Sequence, residues 1–190
     1  MWPHLLRVTR WQPLLVGGAL AAVLSRAGRA DPELRALVVA VVLALGAAFV
    51  FDDAAAVTLA SSPSTLRRRR AHRLALVLPT AAAVWALVLR SLSWTTHGVA
   101  RPGPATLAFA TMLAVTFAIA AMSCGPHADL PGGAVTAPTL LALVLTSAAL
   151  PRRFAVFPVA GHERRWWLVL AASAAVVWVR SADVRRPLLR

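Results

Sequence analysis

Lysine and tyrosine are missing from this chain altogether, so all twenty of its basic residues are arginine. A P-loop needs a lysine to reach the phosphates and a Schiff-base enzyme needs a lysine amine, so neither activity is open to it. A single cysteine, Cys124, excludes an internal disulfide and a thiolate zinc cage. Acidic residues are also scarce, seven in 190, and the only glutamates are Glu33 and Glu163. No pair of acids falls inside an apolar stretch, so the paired carboxylates of acid–base catalysis have no place there. Strand patterning is absent as well: alternation of polar and apolar residues does not occur, and alanine and leucine dominate throughout. The expected chain is all-α and not an enzyme, with no cofactor of its own.

What is present is apolar. Hydrophobic residues make up 59 % of the chain and charged residues 14 %, with a mean hydropathy of +0.70. A soluble domain is only about half apolar. The apolar residues also come in blocks, at about 13–25, 34–51, 74–90, 104–122, 134–150 and 166–180. The expected fold is a polytopic transmembrane helix bundle of about six helices, a single membrane domain over 1–190. Several blocks fall short of the roughly 20 residues that cross a bilayer upright, so flanking residues must extend them or the bilayer must thin. The start, with arginines ahead of an apolar core, resembles a signal peptide in part, but five later blocks favour a retained anchor.

The formal charge of +13 could suggest nucleic acid, but the arginines flank the apolar blocks instead of forming a patch, which points to membrane lipid. The densest group is Arg67, Arg68, Arg69, Arg70 and Arg73, between the second and third blocks. Such a run resists translocation and places both termini in the cytoplasm of a multi-pass protein of the cell (inner or plasma) membrane. Small residues recur every fourth position at Ala40, Ala44 and Ala48, at Ala110, Ala114 and Ala118, and at Ala171 and Ala175. Seams of this kind let helix backbones approach closely in lipid, although an alanine-rich chain also produces them by chance.

The segment 53–73 holds the clearest change of character. Asp52 and Asp53 close the second block, where a carboxylate opposes the negative end of the helix dipole, so a break is favoured over a continuation. Asp53 suits the N-cap of a short helix over 54–60, which would present Val57 and Leu59 on the cytoplasmic face. Ser61, Ser62 and Pro63 would end it, and Ser64 or Thr65 would cap a helix beginning at Leu66. Four arginines in that helix's first turns meet the positive end of its dipole, so anionic lipid headgroups, Asp52 or an acidic partner surface should neutralise them; a purely topogenic role would account for them too.

Other groups carry less. The five histidines are far apart in the chain, and His162–Glu163 lacks the second histidine of a zinc protease helix. Cys124, His127 and Asp129 offer three candidate ligands in a Pro- and Gly-rich loop, where such residues are ordinary. No block has an ionisable group near its middle, which tells against an ion-coupled carrier. Thr106, Thr111 and Thr116 could line a polar path but suit packing better, and Phe154, Phe157, Trp166 and Trp167 suit interface anchors.

Phe51, Asp52, Asp53, the alanines after them, Pro63 and Arg67 to Arg73 give this order of parts a resemblance to the small six-helix permease-like subunits of actinobacterial ABC transporters, of the ABC-2 exporter type. In that family the second helix ends at a short cytoplasmic coupling helix. The resemblance implies the permease subunit of an ATP-driven exporter, in a homo- or hetero-oligomer of membrane subunits, with ATP bound by a separate chain docked at Asp52, Asp53, Val57 and Leu59. The chain is shorter than a usual exporter permease, and a non-transporting accessory or assembly protein is the alternative.

Overall fold

The structure is a computed structural model, and it describes residues 12–26, 32–51, 66–95, 102–123, 132–149 and 163–181. These form six helices and no strand: α1 (Gln12–Arg26), α2 (Pro32–Ala47), α3 (Leu66–Thr95), α4 (Pro102–Ser123), α5 (Gly132–Ala149) and α6 (Glu163–Ser181). A 3₁₀ segment, Ala48–Phe51, prolongs α2. The all-α expectation therefore holds among the described residues. Proline opens both α2 and α4, where its fixed φ suits the first helical position and its missing N–H costs no intrahelical bond.

α4 is the central helix. It is apolar around its whole circumference, with Phe109, Met112, Leu113, Val115 and Phe117 all buried, as expected of a helix surrounded by others. α6, α2 and α5 pack along it, and α1 lies against α2. α3 makes its contacts with α1, α2, the 3₁₀ segment and the edge of α6. The backbones of α3 and α4 approach at few points, and Trp85 of α3 bridges the gap. Its indole stacks on Phe109 with centroids 4.6 Å apart and planes 12° from parallel. Its Nε1–H donates to Thr106 Oγ1 at 3.2 Å. A buried indole needs such a partner, and Trp85 is only 3 % exposed.

α1 and α2 cross at glycine. A β-carbon placed on Gly46 would lie 2.9 Å from the Pro13 carbonyl oxygen and 3.3 Å from Leu14 Cα, and one on Gly17 would lie 3.2 Å from Gly46 Cα. These are backbone atoms, so only the missing side chains allow this approach. A second wedge joins the 3₁₀ segment to α5: a β-carbon on Gly133 would run into the Phe49 ring.

The alanine seams fare differently from one helix to the next. On α2 and its 3₁₀ extension, Ala40, Ala44 and Ala48 are all buried, joined by Ala36 and Ala47. On α4 the buried alanines are Ala108, Ala118, Ala120 and Ala121, while Ala110 and Ala114 are only half-buried. Ala171 and Ala175 of α6 are exposed, and Ser173 and Trp166 face inward instead. Spacing alone does not say which side of a helix its neighbours take.

Two helices are long and apolar enough to cross a membrane, over Ala71–Leu92 and Pro102–Ser123, and among the described residues the apolar parts of α2 and α5 are shorter. For α2 the shortness of its α-helical part, without the 3₁₀ extension, is the reason. A 16-residue α2 rises only about 24 Å against a hydrocarbon core of about 30 Å. The core helix of a soluble protein passes the same test of length and composition, and α4 is mostly buried, whereas less than a quarter of the α3 span is.

Candidate functional site

Four of the residues singled out as a docking surface, Asp52, Asp53, Val57 and Leu59, lie outside the described residues, as do Cys124, His127 and Asp129. Arg67, Arg68, Arg69 and Arg70 form the first turns of α3, which runs unbroken through them to Thr95. Arg73, the fifth of the group, is 6 % exposed and so is set among protein neighbours. Among the described residues no three histidine, cysteine or acidic side chains come together as a metal site.

The threonines of α4 are accounted for by their own helix. Thr111 Oγ1 donates to the Leu107 carbonyl at 2.8 Å and Thr116 Oγ1 to the Met112 carbonyl at 2.7 Å. Thr106 Oγ1 donates to the Pro102 carbonyl at 2.7 Å while accepting from Trp85. A hydroxyl satisfied four residues back along the helix costs little to bury and has no proton left to donate to a passing solute. Thr116 is fully buried and Thr111 nearly so, which makes both packing residues. Of the two tryptophans expected as interface anchors on α6, Trp166 is turned inward and buried, while Trp167 is 61 % exposed.

The feature that sequence reasoning missed is a half-open groove between α1 and α3, of about 480 Å³. Leu14, Leu15, Gly18, Ala19 and Ala22 line it from α1, and Thr80, Val84, Leu87 and Val88 from α3. Its polar residues are Ser25 and Arg26 on α1 and Thr80, Arg90 and Ser91 on α3. Ser25 Oγ donates to the Ala22 carbonyl and Thr80 Oγ1 to the Leu76 carbonyl, both at 2.8 Å, so these two hydroxyls are turned back into their own helices. The signal was present in the sequence, since Arg26 and Arg90 each end an apolar block. That the two blocks lie side by side is a matter of tertiary structure.

No protein-family model matches the chain, and no curated protein and no solved structure matches it either.

Proposed function

We propose that this chain is a multi-pass membrane protein with both termini in the cytoplasm, serving as the permease subunit of an ATP-driven ABC exporter whose ATPase is a separate chain. The observation that carries the membrane part is the apolar outer surface. Val16 and Val23 on α1, Leu87 on α3, Leu145 on α5, and Leu168 and Val179 on α6 are each at least 60 % exposed. Scattered exposed leucines are ordinary in soluble proteins, but large aliphatic side chains turned outward on four helices suit a bundle whose surroundings are lipid. Helix length agrees for α2: with its 3₁₀ extension it rises about 32 Å, and α5 and α6 rise about 27 and 28 Å, close to the hydrocarbon core.

The transporter part rests on the sequence of 51–73: a polar break, a short stretch suited to a capped helix, and arginines leading a 30-residue α3. A second reading, an accessory or assembly protein that moves no solute, is favoured by the dense packing of α4 and by hydroxyls satisfied within it. Two measurements separate these readings. Alkaline phosphatase fused after Thr65 should be inactive, and an active fusion places that loop outside and overturns the topology. The double variant Val57→Asp, Leu59→Asp should insert normally yet lose its association with the ATPase chain. Retained association with unchanged export would make 53–73 a plain connector and favour the accessory role.

A further inference from the structure

α3 is a 30-residue helix with a proline, Pro79, near its middle, so a helical arm lies on either side of it, 66–78 and 80–95. Proline has no N–H. The Ala75 carbonyl therefore lacks the donor that the residue four positions on supplies elsewhere in the helix, and the proline ring crowds that carbonyl. The next carbonyl differs as well, because Thr80 Oγ1 donates to the Leu76 carbonyl at 2.8 Å, a back-bond of the kind that bends helices. Two adjacent links of the backbone ladder are thus altered at one level. On the outer side of that level Leu78, Pro79, Ala82 and Ala83 are all exposed, so no packing braces it there.

The two arms are held differently. Ala81, Trp85, Val88 and Leu92 bury one face of the 80–95 arm, and Trp85 fixes it to α4 through the stack on Phe109 and the bond to Thr106. In the 66–78 arm the buried residues, among those whose side chains are described, are Arg73 and Val77. We propose that α3 is hinged at Pro79, with the 80–95 arm fixed to α4 by Trp85 and the 66–78 arm changing its angle to it.

Lever arithmetic supports the division. Proline kinks are bends of about 20° or more. Val77 lies so close to the hinge that such a bend moves it by about 1 Å, and Arg73 moves by about 3 Å, a distance that a long side chain can absorb while its head stays in place. The Leu66 end sweeps about 7 Å. The motion is small where the arm is buried and large where Arg67 to Arg70 lie. Pro138 of α5 offers no such lever, because it falls in the second turn of its helix and leaves almost no arm ahead of it. The hinge concerns α3 alone and does not depend on the exporter reading.

The test uses the full chain in detergent micelles, carrying Cys124→Ser and pairs of spin labels whose distance distribution is read by double electron–electron resonance. Ala71→Cys with Met122→Cys joins the 66–78 arm to α4, and Ala86→Cys with Met122→Cys joins the 80–95 arm to the same point. All three sites are exposed. A bend of about 20° moves Ala71 by about 4 Å, so the Ala71 pair should give a distribution broader than the Ala86 pair by about that amount. Pro79→Ala, which restores the missing bond, should narrow the Ala71 pair to the width of the Ala86 pair. Pro138→Ala should leave both widths as they are. Trp85→Leu, which removes the stack and the bond to α4, should broaden the Ala86 pair. An Ala71 pair as narrow as the Ala86 pair in the parent, a width unchanged by Pro79→Ala, an equal narrowing by Pro138→Ala, or an Ala86 pair indifferent to Trp85→Leu would each overturn the hinge.

Discussion

The crossing of α1 and α2 gives a ranking of four glycine substitutions that can be worked from distances. In Gly46→Ala the new methyl would sit 2.9 Å from the Pro13 carbonyl oxygen and 3.3 Å from Leu14 Cα, both on the backbone of α1. Carbon contacts are comfortable at about 3.5–4.0 Å, so the helices must part locally by roughly half an ångström or more. Overpacking of that kind costs about 1–3 kcal/mol, and the better helix propensity of alanine returns up to about 1 kcal/mol, leaving a net loss of about 1–2 kcal/mol. Gly17→Ala meets Gly46 Cα and the Val42 carbonyl oxygen at 3.2 Å, a smaller intrusion that the same gain in propensity roughly cancels. Gly18→Ala would meet only a Val84 methyl at 3.9 Å, and Gly103→Ala would meet nothing within 4 Å. Both should stabilise, by about 0.5–1 kcal/mol at Gly18 and less at Gly103, which lies in the first turn of α4. The assay is unfolding in mixed micelles with increasing SDS, followed by tryptophan fluorescence. The reasoning fails if Gly46→Ala proves as stable as the parent, or if it ranks above Gly103→Ala.

Two further predictions follow from single contacts and absences. Trp85→Phe keeps the stack on Phe109 but loses the bond to Thr106, at about 1 kcal/mol, whereas Thr106→Val strands a buried indole N–H, at about 1–3 kcal/mol. The same unfolding assay should rank Thr106→Val as the more damaging change, and the reverse order would mean that the bond contributes little. The purified chain should gain no thermal stability from Mg-ATP, because it has no lysine to complete a phosphate loop. A clear rise in melting temperature without any second chain would refute that.

Composition and block pattern were enough to read an all-α chain of about six helices, because a long apolar run without alternation has few other ways to satisfy its backbone. They were enough, too, to exclude lysine chemistry and an internal disulfide, which depend only on which residues are present. Packing was not legible. Gly46 sits in an ordinary run of α2, and only the approach of α1 turns it into a contact with Gly17. The alanine period of α6 looked as regular as that of α2, yet its alanines face outward, since the side on which a neighbour lies is set by the whole bundle. Trp166 and Trp167 are adjacent and chemically identical, and the 100° turn of a helix between them sends one inward and one outward. Arg26 and Arg90 are 64 positions apart and say nothing of each other in the sequence. What a residue can do was determined by its own chemistry; which residues meet, and so where a groove opens between helices, was decided only when the helices packed.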